Sequence, residues 1–124
     1  MTRKVLVVDD NPVSRELIRE VLEDSGRRVL EAENGEEALK KIAEEKPDIV
    51  LLDIQLPIYD GYEVLRRVRT ILKLDKLPVL AVTAYAMKED FERALAAGFD
   101  AYITKPIDAA ALRVQVEKIL GSNP

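Results

Sequence analysis

Asp9, Asp10, Asp53, Thr83 and Lys105 all stand at or just beyond the end of a short apolar run. The runs are Val5-Leu6-Val7-Val8, Ile49-Val50-Leu51-Leu52, Val79-Leu80-Ala81-Val82 and the mixed Ala101-Tyr102-Ile103-Thr104. Such runs read as buried strands, and an open parallel sheet binds ligands at the carboxyl ends of its strands. Adjacent strands lie about 4.8 Å apart, so Asp10 and Asp53 should converge, with Asp9 close by. Two unit charges roughly 4 Å apart repel by about 4 kcal/mol at an effective dielectric near 20. A proton or a cation should relieve that repulsion. All-oxygen ligation favours a hard cation, and Mg²⁺ typically takes one or two carboxylates and keeps waters that a phosphate can displace. Lys105 lies two strands from Asp53, about 10 Å by backbone, and its long side chain can reach a phosphoryl oxygen as a point charge. Thr83, one strand away, offers a hydroxyl. A nucleophilic carboxylate, a divalent metal, a lysine and a hydroxyl are the parts for forming an aspartyl phosphate.

The elements that must position these groups alternate five times. Strands are expected near 4–9, 29–32, 48–53, 78–83 and 101–104. Helices are expected near 13–25, 35–45, 61–73, 87–97 and 108–120. Val13, Leu17, Ile18, Val21 and Leu22 form one helical stripe, and Val64, Leu65, Val68, Ile71 and Leu72 another. Gly26 suits a position just past a helix end, and Asp108 an N-cap. Asn34-Gly35 marks a turn, and Glu36 and Glu37 follow it at the positive end of a helix. The first, third and fourth strands are nearly all apolar, as strands covered on both faces must be. The second carries Glu31 and the fifth is short and mixed, which suits the edges. Strict alternation implies a parallel sheet with right-handed crossovers. The expected fold is α/β, a flavodoxin-like doubly wound sheet of five parallel strands in the order 2-1-3-4-5 with five helices. The switch point of that order falls between Asp10 and Asp53.

The 124 residues fit one domain, 1–124, with its core over 4–120. Cysteine is absent, which excludes disulfides and thiolate metal sites. Histidine is absent too, which excludes a catalytic imidazole, a His-ligated zinc and a histidine phosphocarrier. The net charge of −4 argues against direct binding of nucleic acid. No apolar run approaches the roughly 18 residues that span a bilayer. Met1-Thr2-Arg3-Lys4 leads straight into a strand, so no signal peptide is visible, and a cytoplasmic protein is expected. Gly121-Ser122-Asn123-Pro124 reads as a helix stop and short tail.

The chain resembles the response-regulator receiver domains of two-component signalling, in particular single-domain chemotaxis-type regulators. The resemblance spans about 4–120. It is carried by Val7-Val8-Asp9-Asp10-Asn11, Leu52-Asp53-Ile54-Gln55-Leu56-Pro57, Asp60-Gly61, Thr83-Ala84 and Lys105-Pro106. It implies that Asp53 accepts phosphate from a histidine kinase or a histidine phosphotransfer protein. It implies Mg²⁺, with Mn²⁺ as a substitute, on Asp9, Asp10, Asp53 and the Gln55 carbonyl. Lys105 would hold a phosphoryl oxygen, Thr83 would move toward the phosphate, and Tyr102 would swing inward behind it. Lys105-Pro106 would be a cis peptide. Phosphate would shift a surface formed by the fourth helix, fifth strand and fifth helix, and so regulate a downstream protein target. Such a domain modifies itself and is not a turnover enzyme.

Simpler readings stand beside these. Asp9-Asp10 could cap the first helix, Thr83 is an ordinary strand residue, and Tyr102 could be packing. Arg66, Arg67 and Arg69 read as a solvated helix face. Two departures from the family pattern bear on the site. Tyr59 occupies a loop position where Met is common, and Asn11 follows the acid pair. Tyr85 and Gln55, each two residues past a site residue, should flank the path of an attacking water and slow dephosphorylation. Ala84-Tyr85-Ala86-Met87 and Val114 offer apolar surface for a partner. The rival functions are a module cut from a hybrid kinase or longer regulator, and a constitutive interaction module that takes no phosphate. A flavin carrier needs a phosphate loop that Asp9-Asp10-Asn11-Pro12 would repel. A phosphoaspartate hydrolase wants an acid where Gln55 stands.

Overall fold

A computed structural model describes residues 3–121, so the Ser122-Asn123-Pro124 tail lies outside the described residues. Five strands, β1 (Lys4–Val8), β2 (Arg28–Ala32), β3 (Ile49–Asp53), β4 (Val79–Thr83) and β5 (Ala101–Thr104), alternate with five helices. The helices are α1 (Pro12–Asp24), α2 (Gly35–Glu45), α3 (Gly61–Thr70), α4 (Lys88–Ala97) and α5 (Ala109–Leu120). All strand pairs are parallel, in the order β2-β1-β3-β4-β5, as the edge and centre compositions require. No described helix is long and apolar enough to cross a membrane.

Side-chain alternation along the strands splits the core in two. Val5, Val7, Ile49, Leu51, Leu80, Val82 and Ile103 pack with Ile18 and Leu22 of α1 and Leu112 and Val116 of α5. Leu6, Val8, Val50, Leu52, Val79 and Ala81 pack on the other face, against α2, α3 and Ala94 of α4. Helix ends follow local chemistry. Asn11, not Asp9 or Asp10, caps α1, accepting from the N–H groups of Val13 and Ser14. Gly26 takes φ +83° and donates to the Glu23 carbonyl while Arg27 donates to that of Leu22, a Schellman closure. Asn34, Asp60 and Asp108 cap α2, α3 and α5 through their side chains.

Three sequence expectations need correction. Val13 and Leu17 are exposed, because the buried stripe of α1 narrows to Ile18, Val21 and Leu22. Helix α3 stops at Thr70 rather than 73, leaving Ile71 exposed. Lys73 adopts φ +56° there, which a continuing helix forbids. Arg69 is no solvated residue: its guanidinium donates to the carbonyls of Leu74 (2.6 Å) and Leu77 (2.7 Å) and pairs with Asp100 (3.4 Å), pinning the chain that leads into β4.

Candidate functional site

The strand register sets the site. Val8 pairs with Leu52, so Asp9, the next residue, lies level with Asp53. Thr83 pairs with Thr104, and the Lys105 N–H donates to the Thr83 carbonyl (2.8 Å). Each of the three central strands then turns in the same way. Asp9 Oδ1 accepts from the Asn11 N–H (2.9 Å), Asp53 Oδ1 from the Gln55 N–H (2.9 Å), and Thr83 Oγ1 from the Tyr85 N–H (3.1 Å). These short side-chain turns are what Asp and Thr favour at a strand end. They fix one oxygen of each acid and leave the other for chemistry.

The free oxygens converge. Ligand atoms of Asp9, Asp10 and Asp53 all lie within 4.8 Å of one another. Asp9 is 1% exposed and Asp53 4%, while Asp10 is open to solvent. Lys105 Nζ sits 2.8 Å from Asp9 Oδ2 and 3.1 Å from Asp53 Oδ2, so one ammonium serves two buried acids. Burial pushes the Asp53 carboxyl above its ordinary range; the Gln55 N–H and Lys105 pull it down and Asp9 pushes it up again. Burial opposes the charge on Lys105 too, but its two carboxylates more than offset this and raise it. The directions agree physically: the lysine has two partners, whereas Asp53 shares one. Asp9 Oδ2 is buried and accepts no hydrogen bond, its ion-pair partner aside. Three carboxylates that share one ammonium as their counter-charge fit a hard divalent cation.

Thr83 and Tyr102 belong to the opposite face of the sheet from Asp9 and Asp53, by strand alternation. Tyr102 is half-buried against the α4-side core, meets Phe91 edge to face at 5.6 Å, and donates its hydroxyl to the Tyr85 carbonyl. Gln55 Nε2 donates to the Tyr85 hydroxyl (2.7 Å), tying together the two residues that follow Asp53 and Thr83 by two. The Lys105-Pro106 bond is cis. Tyr59 packs against the α3-side core with the Arg67 guanidinium 4.1 Å above its ring. The exposed large apolar side chain of that loop is Ile58, 82% accessible and held at φ +69°. Sequence reasoning missed Arg15, whose guanidinium donates to the Asp9 carbonyl (2.8 Å) and pairs with Glu31 (3.2 Å). A signal existed, since a lone acid in a strand needs a cation nearby.

A family model described as the response regulator receiver domain matches residues 5–117. The chain belongs to that family. This receiver domain is 40% identical over 121 residues to the polar-differentiation response regulator DivK of Brucella anthropi, covering 98% of each chain. Its fold matches the chemotaxis protein CheY4 of Vibrio cholerae with a TM-score of 0.89 at 28% identity, covering 96% of this chain and 99% of that one. It matches the BeF3-activated DrrB receiver domain with a TM-score of 0.87 at 32% identity, covering 97% and 98%. Receiver domains are signalling switches rather than classical enzymes, and they bind Mg²⁺ through acidic residues such as the cluster found here.

Proposed function

We propose that Asp53 accepts a phosphoryl group from a phosphohistidine on a cytoplasmic histidine kinase or histidine phosphotransfer protein. The observation that carries this reading is the shared ammonium: Lys105 reaches both buried acids at once. An Asp53 carboxylate oxygen attacks phosphorus, the phosphorus–nitrogen bond breaks, and the imidazole leaves with its electron pair. Asp9, Asp10, Asp53 and the Gln55 carbonyl would hold Mg²⁺ or Mn²⁺, which when bound neutralises charge on the phosphoryl oxygens. Lys105 exchanges a carboxylate for a phosphoryl oxygen. Val13 and Ile58, both exposed apolar residues at this edge, are where a phosphodonor would dock.

Signal leaves through Tyr85. Thr83 Oγ1 holds its N–H and the Tyr102 hydroxyl holds its carbonyl. A Thr83 hydroxyl turning to donate to a phosphoryl oxygen gives up the first bond and frees Tyr102 to move inward. The surface so altered includes Tyr85, Met87, Phe91 and Val114, all exposed, and suits a downstream protein. The Gln55–Tyr85 bridge screens Asp53 from water, and Tyr59 holds the loop behind it. Dephosphorylation should therefore be slow; a half-life of seconds that Tyr85→Ala leaves unchanged would contradict this. The donor chemistry is tested with phosphoramidate, whose phosphorus–nitrogen bond stands in for phosphohistidine, followed by borohydride reduction. Homoserine at position 53 alone is expected. Reduction at another acid, or at none, would overturn the assignment.

A further inference from the structure

The amino-terminal edge of the sheet, opposite the acids, carries a cleft of about 540 Å³ between the ends of α2 and α3. That is within the roughly 300–1,000 Å³ range of small-molecule sites. Its floor is apolar, built from Ile42, Pro47, Leu72 and Leu77. Both walls are fixed. On one side Asp48 accepts from the Lys4 N–H (2.7 Å), and Lys4 Nζ donates to the Glu45 carbonyl (2.9 Å). On the other, Arg69 clamps the carbonyls of Leu74 and Leu77. The cleft is thus pre-formed rather than a gap between mobile loops. Lys46 and Lys76 line it, both exposed, and neither forms an ion pair among the described residues. Asp48, the one acid in the lining, is already matched by Arg3 at 3.7 Å.

We propose that this cleft binds a small amphipathic anion, an apolar body bearing one acidic group. The body covers the Leu72–Leu77 floor and the acid meets Lys46 and Lys76. Strands β3 and β4 both start at the cleft and end at Asp53 and Thr83, so the two sites are distinct and share their strands. The inference stands independently of phosphate chemistry. It is tested by titrating 8-anilinonaphthalene-1-sulfonate into the ¹⁵N-labelled protein and following amide shifts. Saturable shifts confined to residues 42–48 and 72–78 are expected. K46E/K76E should weaken binding at least tenfold, and Ala43→Trp, an exposed lining position, should abolish it, both with an unchanged melting temperature. Absence of saturation, shifts centred on residues 84–95, or unchanged affinity in either folded variant would overturn the proposal.

Discussion

Removing the charge at Asp53 should stabilise the protein when no divalent cation is present. Burial raises that carboxyl, so its charged form is the one the fold disfavours. A raised acid leaves stability intact below its unfolded pKa and costs stability as pH rises through its folded pKa. Asp53→Asn keeps the turn to Gln55 and leaves Lys105 paired with Asp9. Urea unfolding without Mg²⁺ should show a gain in stability at pH 8 that shrinks toward pH 4. A loss at pH 8 would mean that Lys105 outweighs burial. At this scale the sequence was informative for Asp9, Asp53 and Lys105, whose types and strand-end places make their convergence foreseeable. It held a signal for a cation near Glu31, met by Arg15, but was uninformative for Arg69, because a guanidinium's carbonyl partners depend on which loop comes near it.

Helix α3 brings its first residue against the strand that carries Asp53. A Cβ added to Gly61 would lie 2.7 Å from Ile54 Cα and 2.9 Å from the Asp53 carbonyl oxygen, both backbone atoms. Gly61 also donates its N–H to the Ile54 carbonyl (2.8 Å). Gly61→Ala should cost about 1–3 kcal/mol by overpacking, read by chemical denaturation, and should perturb the Asp53 and Gln55 amides; a neutral change would show that the approach is looser. The Asp60-Gly61 pair reads in sequence as a turn and helix start. The helix start is present, capped by Asp60, but the reason for glycine is a contact between distant elements that no local pattern reveals. The same limit explains Val13 and Leu17. Periodicity marks them as one stripe with Ile18, yet only the placement of α5 decides how wide a stripe is covered. Helix α4 buries Ala94 alone, so its apolar Phe91 and Leu95 remain exposed.

Across the whole molecule the sheet separates the acids from the residues proposed to carry the signal. Asp9 and Asp53 share the face of α1 and α5, while Thr83 and Tyr102 face α4, with Tyr85 bridging the two. Strand order was legible because composition distinguishes covered from edge strands, as Glu31 in β2 and the uniformly buried β3 illustrate. The coupling through the Tyr85 backbone was not, since it joins a carbonyl to a side chain on a neighbouring strand. A cation that binds only the native state should stabilise it by about 2.7 kcal/mol at a hundredfold excess over its dissociation constant. Melting with and without Mg²⁺ should show this gain, and Asp10→Asn should diminish it; a melting temperature indifferent to Mg²⁺ would count against the acid cluster as a metal site. The most direct measurement is intact mass after treatment with acetyl phosphate, with and without Mg²⁺, on the wild type and on Asp53→Asn. The expected result is a Mg²⁺-dependent gain of a single phosphoryl group on the wild type and none on the variant. An equal gain on Asp53→Asn, or no gain on a wild type that also fails to bind beryllofluoride, would contradict the assignment of Asp53 as the acceptor.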